Sequence, residues 1–119
     1  MFSKLEKSDC DIVIPTGSGD EEYLDAIRGP LKTSVDNFQP QLIFYQAGVD
    51  ILENDRLGKL NLTRNGLQER NKLVFDCARN VGSSIVVTMG GGYGHDTQDT
   101  VDAHADVYIA LIEECLNKV

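Results

Sequence analysis

The sequence lacks the long apolar runs that membrane-spanning and secreted proteins carry. Its longest uninterrupted apolar stretch has six residues, far short of the roughly 20 that cross a bilayer. The first seven residues, MFSKLEK, also lack the apolar core of a signal peptide. We therefore expect no membrane partner and a cytoplasmic location.

Positive charge is also scarce. Lys and Arg total 11 against 19 Asp and Glu, which gives a formal net charge of -8. Such a balance repels the phosphates of nucleic acids, so we expect no nucleic-acid partner. The three cysteines, Cys10, Cys77 and Cys115, are widely spaced and include no CxxC pair. This pattern predicts ordinary reduced thiols rather than a disulfide framework or a thiolate metal site.

Short apolar runs alternate with helical patterns along the chain. The runs at residues 11–15, 42–45 and 84–89 predict three strands, and the run at 42–45 reads as a parallel strand buried on both faces. Together with three helices they give the order β-α-β-α-β-α. With 119 residues, the chain is expected to form one α/β domain, residues 1–119, with parallel strands and helices packed on the sheet.

The three predicted helices differ in how clearly they are marked. The first should begin near Asp20, and Gly29-Pro30 predicts a kink or two short helices. The second is expected to run from Gly66 to a cap at Gly82, with residues 51–65 before it forming a long loop. The third should run from about residue 98 to 117, with one apolar face made of Val101, Ala105, Tyr108, Ile112 and Cys115.

Two of the predicted strands end in residues that suit a binding site. The run at 42–45 leads to Gly48 and the carboxylate of Asp50, and the run at 84–89 leads to three glycines and the phenol of Tyr93. Ligands of open α/β sheets bind beyond the carboxyl ends of the strands. We therefore expect Asp50 and Tyr93 at one rim. The alternatives are a turn aspartate bonded to backbone N–H groups and a packed loop aromatic.

The segments QLIFYQAGVD, NDRLGKLNLT and VVTMGGGYG, in this order, resemble the C-terminal portion of the histone deacetylase family, and in particular its bacterial, class-IV-like members. The segment SDCDIVIPTGSGDEEYL is similar to the part of the family before the penultimate helix. The resemblance implies a three-layer α/β/α fold with part of the arginase/deacetylase-like sheet. In that sheet the strands leading to Asp50 and Tyr93 are neighbours, and the strand at residues 11–15 lies on the far edge.

The resemblance also implies roles for individual residues. Asp50 matches a zinc-binding aspartate, and Tyr93 matches the tyrosine that hydrogen-bonds the carbonyl oxygen of an acylated amine such as acetyl-lysine. The implied cofactor of the complete site is Zn²⁺. The remaining matches are to the acyl channel of the family and its rim. The channel is matched by Gly90, Gly91, Gly92 and Leu57. The rim is matched by Asp55 and Arg56.

Other parts of the family's site have no match in this chain. The paired histidines and the Asp-x-His of the family lie upstream of every segment found here. Asp102-Ala103-His104 has the right letters, but helix residues two apart point to different faces, so we expect a partly buried helix histidine. His95 is either a polar loop residue or a ligand contact. We therefore expect neither tight zinc binding nor deacetylase activity from this chain alone.

Three interpretations of the chain stay open at this point. It is a truncated or split zinc-dependent deacetylase, a non-catalytic binding or scaffold remnant that forms oligomers, or one half of a two-chain enzyme. In each case unpaired strand edges and apolar faces need a cover. We expect that cover to be a second copy of the chain or a missing N-terminal portion.

Overall fold

The structure is a computed structural model that describes residues 6–117. Within this range no helix is long and apolar enough to cross a membrane. The chain forms three helices and two strands in alternation. These are helix α1 (Asp20–Phe38), strand β1 (Leu42–Ala47), helix α2 (Arg64–Asn80), strand β2 (Ser84–Met89) and helix α3 (Thr97–Leu116).

The two strands form a parallel sheet joined by α2. Leu42 pairs with Ser84 at the start of the sheet, and Ala47 pairs with Met89 at its end. Parallel strands need a crossover connection, which is the role of α2 here. The α/β class with parallel strands is therefore confirmed, as a two-stranded part of the larger fold. The strands that lead to Asp50 and Tyr93 are neighbours, as the resemblance implies.

The predicted strand at residues 11–15 is wrong, and the order of elements is α-β-α-β-α. The residues that follow this segment form backbone hydrogen bonds with the loop before α2. The Gly17 N–H donates to the Lys59 carbonyl at 2.7 Å, and the Asn61 N–H donates to the Ser18 carbonyl at 2.9 Å. A strand exists only when a neighbouring strand satisfies its backbone groups, and residues 6–117 provide no such neighbour for it.

Side chains from all three helices pack against one face of the sheet. Tyr45 and Ala47 on that face join a core with Val74 and Phe75 of α2 and Val107 of α3, and Leu31 of α1 packs against it. The opposite face carries Leu42, Phe44 and Val86, which are 47%, 71% and 39% exposed. The prediction that the first of these strands is buried on both faces is therefore wrong for the described residues.

Helix α1 runs through Gly29 and Pro30 without a break, which excludes two short helices. It begins at Asp20, as expected, and its N-cap is Gly19. The Asp20 carboxylate accepts hydrogen bonds from the Thr63 N–H at 2.8 Å and from the Thr63 hydroxyl. Because Thr63 is the N-cap of α2, these bonds tie the beginnings of the two helices together.

The face of α3 that packs against the protein differs from the predicted one. The buried residues are Ala103, Asp106 and Val107. Apolar residues occur on more than one side of this helix, so helical spacing alone fits two faces. The contact with α2 selects the face with smaller side chains. The predicted core residues are all exposed, and they are Val101, Ala105, Tyr108, Ile112 and Cys115.

Candidate functional site

The loops that follow β1 and β2 touch each other at one end of the sheet. The Val49 N–H donates to the Gly91 carbonyl at 2.8 Å. A Cβ added to Gly90 would lie 2.6 Å from the Gly48 Cα, closer than real Cβ atoms approach backbone. Glycine is therefore required at Gly90 by space. This close contact of two backbones forms the floor of the candidate site.

Asp50 and Tyr93 both approach Gly91. A Cβ added to Gly91 would be 3.2 Å from Asp50 Oδ2 and 3.8 Å from Tyr93 Cε2. Both side chains are exposed, Tyr93 by 55%. The structure therefore brings the predicted carboxylate and the predicted phenol to one rim, at the carboxyl end of the sheet.

Asp55 is the most heavily hydrogen-bonded carboxylate near this rim. It is 9% exposed and accepts hydrogen bonds from the backbone N–H groups of Tyr93, Leu57 and Gly58. Burial by itself would raise the pKa of the Asp55 carboxyl. These three donors, together with the charge of Arg56, outweigh burial and hold the pKa below its ordinary value.

The predicted channel residue Leu57 lies on the same loop, next to the Tyr93 segment. Its side chain is 70% exposed. The neighbouring Arg56 N–H donates to the Tyr93 carbonyl at 2.9 Å. The loop that carries Leu57 is therefore bonded directly to the loop that carries Tyr93.

Sequence reasoning missed the buried network beneath the Asp50 turn. Arg70 is 6% exposed and donates from Nη1 to the Gly48 carbonyl at 2.6 Å and from Nη2 to Asn71 Oδ1 at 3.0 Å. The Tyr45 hydroxyl also donates to Asn71 Oδ1, at 2.6 Å. Burial, partly offset by Arg70, raises the pKa of Tyr45 to about 12. Because Arg70 and Asp50 line one pocket of about 290 Å³, the network supports the turn from inside.

A sequence pattern could have indicated these buried polar residues. Arg70 and Asn71 fall between Leu67 and Val74, at the helical spacing that places them on the same buried stripe. A charged residue on such a stripe predicts a hydrogen-bonded role in the interior. Its actual partner, the Gly48 carbonyl, lies 22 positions away and is not indicated by the pattern.

The two histidines have different surroundings. His95 is exposed, and its backbone N–H donates to the Asn54 carbonyl at 3.1 Å. His104 is half-buried in α3, and its Nε2 would lie 3.1 Å from a Cβ added to Gly92. Burial and the charge of Arg70 lower the pKa of His104. His104 is thus a partly buried helix histidine near the site floor, and Asp102 accepts instead from Gln98 on its own helix.

The role of Asp50 as a zinc ligand stays a prediction. Among residues 6–117, no three His, Cys, Asp or Glu side chains lie close enough to hold a metal together. Zinc sites use three or four protein ligands in a fixed geometry, so the described residues do not complete one. That this chain alone does not bind zinc tightly stays a prediction, which metal analysis can test.

Comparison with known proteins identifies the family of this chain. The family model described as the histone deacetylase domain matches residues 2–117. The chain belongs to the histone deacetylase family. This result confirms the family that the sequence segments indicated.

Individual relatives are identical to the chain at about a third of the aligned positions. An uncharacterised protein of Picosynechococcus is 37% identical over 87% of the chain and 34% of its own length. Histone deacetylase 2 of Arabidopsis thaliana is 36% identical over 71% of the chain and 22% of its own length. A histone deacetylase-like amidohydrolase of Pseudomonas aeruginosa is 31% identical over 65% of the chain and 20% of its own length. The chain thus spans between a fifth and a third of these relatives.

Proposed function

We propose that this chain is the C-terminal catalytic portion of a zinc-dependent deacetylase that hydrolyses acetyl-lysine or a related acylated amine. Asp50 contributes one carboxylate ligand to the metal. Tyr93 donates a hydrogen bond from its hydroxyl to the carbonyl oxygen of the substrate. Gly91, Gly92 and Leu57 line the channel that receives the acyl group.

The observation that carries this proposal is that the side chains of Asp50 and Tyr93 both lie close to Gly91. A hydrolase of this kind needs a donor aimed at the oxygen that gains negative charge. The Tyr93 side chain is exposed while its backbone is bonded at both its N–H and its carbonyl. This combination leaves the hydroxyl accessible to a substrate on a fixed support.

The chain by itself is proposed to be inactive. Zn²⁺ in a complete site acts as a Lewis acid on the carbonyl group, but it needs ligands beyond Asp50. Polypeptide outside residues 6–117 has to supply those ligands and the histidines that move protons. A cytoplasmic location is part of the same proposal, supported by the free thiols of Cys10, Cys77 and Cys115.

A graft tests the proposal. In the Pseudomonas amidohydrolase, the portion that matches this chain is replaced by the corresponding residues of the chain. We expect this grafted amidohydrolase to bind zinc and to hydrolyse an acetyl-lysine amide. Tyr93→Phe should then lower kcat by about 10² to 10³, because one oxyanion donor is lost. Asp50→Asn should lower the zinc content, measured by metal analysis.

The matched control for the tyrosine is Tyr108→Phe, which removes a hydroxyl from an exposed site on α3. It should leave kcat unchanged. A grafted protein that folds and holds zinc but shows equal kcat with Tyr93 or phenylalanine would overturn the assigned role. A folded graft without any hydrolysis would overturn the proposed activity.

A second candidate function is a binding module that associates through its open sheet face. The exposed Leu42, Phe44 and Val86 side chains lie together on that face, and large apolar patches usually mark interfaces. The same patch suits either a second copy of the chain or the missing part of a deacetylase domain. Self-association of the chain would favour the oligomeric module.

A further inference from the structure

The carboxylate of Asp55 joins the two loops that carry the channel wall and the catalytic phenol. Its Oδ1 accepts from the Tyr93 N–H, and its Oδ2 accepts from the N–H groups of Leu57 at 2.9 Å and Gly58 at 2.7 Å. We propose that Asp55 is a positioning residue that sets the Tyr93 hydroxyl against the channel wall at Leu57. This inference rests on the proposed function for the roles of Tyr93 and Leu57.

The bonds around Asp55 fix the Tyr93 backbone at both ends. The Tyr93 carbonyl accepts a hydrogen bond from the Arg56 N–H at 2.9 Å. Two residues further on, the His95 N–H donates to the Asn54 carbonyl at 3.1 Å. Asp55 and Gly94 form an antiparallel bridge between the two loops. Since the Tyr93 side chain is exposed, its orientation depends on this backbone support, which catalytic groups need in order to be pre-organised.

An ionised carboxylate is the side chain that fits this position. Three N–H donors converge on two oxygens, and a carboxylate accepts on both oxygens without donating from either. An asparagine at Asp55 would direct its NH₂ group at the Tyr93 N–H or at the Leu57 and Gly58 N–H groups. At least one backbone N–H group would then lose its hydrogen-bond partner. Because Asp55 is only 9% exposed, the unpaired N–H group would cost the free energy of its desolvation.

The Asp55 contact also reaches the turn that carries Asp50. A Cβ added to Gly58 would overlap the Asp50 carbonyl oxygen and lie 3.2 Å from Asp55 Oδ2. The backbone at Gly58 is therefore packed between the two aspartates. Through Gly58, one carboxylate sets the position of the Tyr93 loop relative to the Asp50 turn as well as to Leu57.

Nuclear magnetic resonance on the ¹⁵N-labelled chain tests the positioning directly. In the wild-type chain, the amide signals of Tyr93, Leu57 and Gly58 should shift together as the pH falls, with one common midpoint below the usual aspartate range of about 4. In Asp55→Asn, amide hydrogen exchange at these three residues should be about tenfold faster or more, because a charge-assisted bond is lost. Three separate midpoints, or unchanged exchange, would overturn the proposal.

The matched control is Asp96→Asn, which removes a carboxylate from the N-cap of α3, where it accepts from the Gln98 N–H. Asparagine caps helices about as well as aspartate, so exchange at Tyr93 should not change. If Asp55→Asn does not fold, the wild-type pH titration still decides whether one carboxylate controls the three amides.

The catalytic consequence is measured in the grafted amidohydrolase. Asp55→Asn should lower kcat about tenfold or more with a smaller change in KM, since the donor is displaced while the channel remains. An active graft in which Asp55→Asn leaves kcat unchanged would overturn the positioning role. An inactive wild-type graft would instead count against the proposed function, and the amide titration would still decide the role of Asp55.

Discussion

Replacing Asp106 with alanine should destabilise the contact between α2 and α3. The Asp106 carboxylate is buried and accepts from Arg64 Nε at 2.5 Å and Nη2 at 2.8 Å, and from Gln68 Nε2 at 3.2 Å. The hydrogen bonds from Arg64 outweigh burial and hold the pKa of Asp106 below its ordinary value. The carboxylate is therefore ionised at neutral pH.

The magnitude follows from the burial of the two partners. A hydrogen bond to a charged group contributes about 1.5–3 kcal/mol net. The Arg64 side chain, however, is 54% exposed and regains water when its partner is removed, which discounts the loss. Asp106→Ala should therefore lower the free energy of unfolding by about 1–2 kcal/mol. The control is Glu114→Ala, which breaks the pair between Glu114 and Arg79 across the same two helices.

Urea unfolding at neutral pH, followed by circular dichroism, measures both variants. Asp106→Ala should lower the urea midpoint with an unchanged slope, because the surface exposed on unfolding stays the same. Glu114→Ala should lower the midpoint less, since its carboxylate is more exposed, at 16% against 9%. The stabilisation by Asp106 should be present above pH 4 or so and should be lost as the pH falls through its depressed folded-state pKa. Equal effects of the two variants would refute the reasoning from burial.

Two further predictions concern pH and association. Because burial and Arg70 lower the pKa of His104, the unfolded chain takes up a proton first as the pH falls below about 6.5. The urea midpoint should therefore be lower at pH 5.5 than at pH 7.5, and His104→Gln should reduce this difference; an unchanged difference would contradict the assignment. If the open sheet face mediates association, the double variant Phe44→Ser and Val86→Ser should lower the particle mass measured by light scattering. The control Phe38→Ser, at an exposed site outside the sheet, should leave that mass unchanged. A 13.1 kDa particle for the wild-type chain at high concentration would contradict self-association.

The sequence predicted the elements whose cause is local. The second helix ends where expected, because Gly82 adopts a positive φ of 69° just past its last turn, a conformation that favours glycine. The apolar runs that became β1 and β2 were both recognised, as were the turns after them that hold Asp50 and Tyr93. Turn chemistry and residue propensity act over a few neighbouring positions, so they can be recognised from the sequence without knowledge of the fold.

The errors came from features that depend on distant neighbours. The apolar run at residues 11–15 had the composition of a strand but found no strand to pair with among residues 6–117. The apolar face of α3 was assigned to the larger side chains, whereas the contact with α2 buries Ala103 and Val107. In both cases the local pattern was compatible with more than one arrangement, and packing selected between them.

The sequence by itself determined the α/β class, the glycine-rich loop and the two side chains at the ends of the strands, because each follows from residue type and short-range spacing. Only the tertiary structure decided what supports those side chains. Asp55 and Tyr93 are 38 positions apart, and Arg70 reaches the Gly48 carbonyl from the interior of another element. Such contacts depend on where separate segments meet after the helices have packed on the sheet, and no local pattern encodes that geometry.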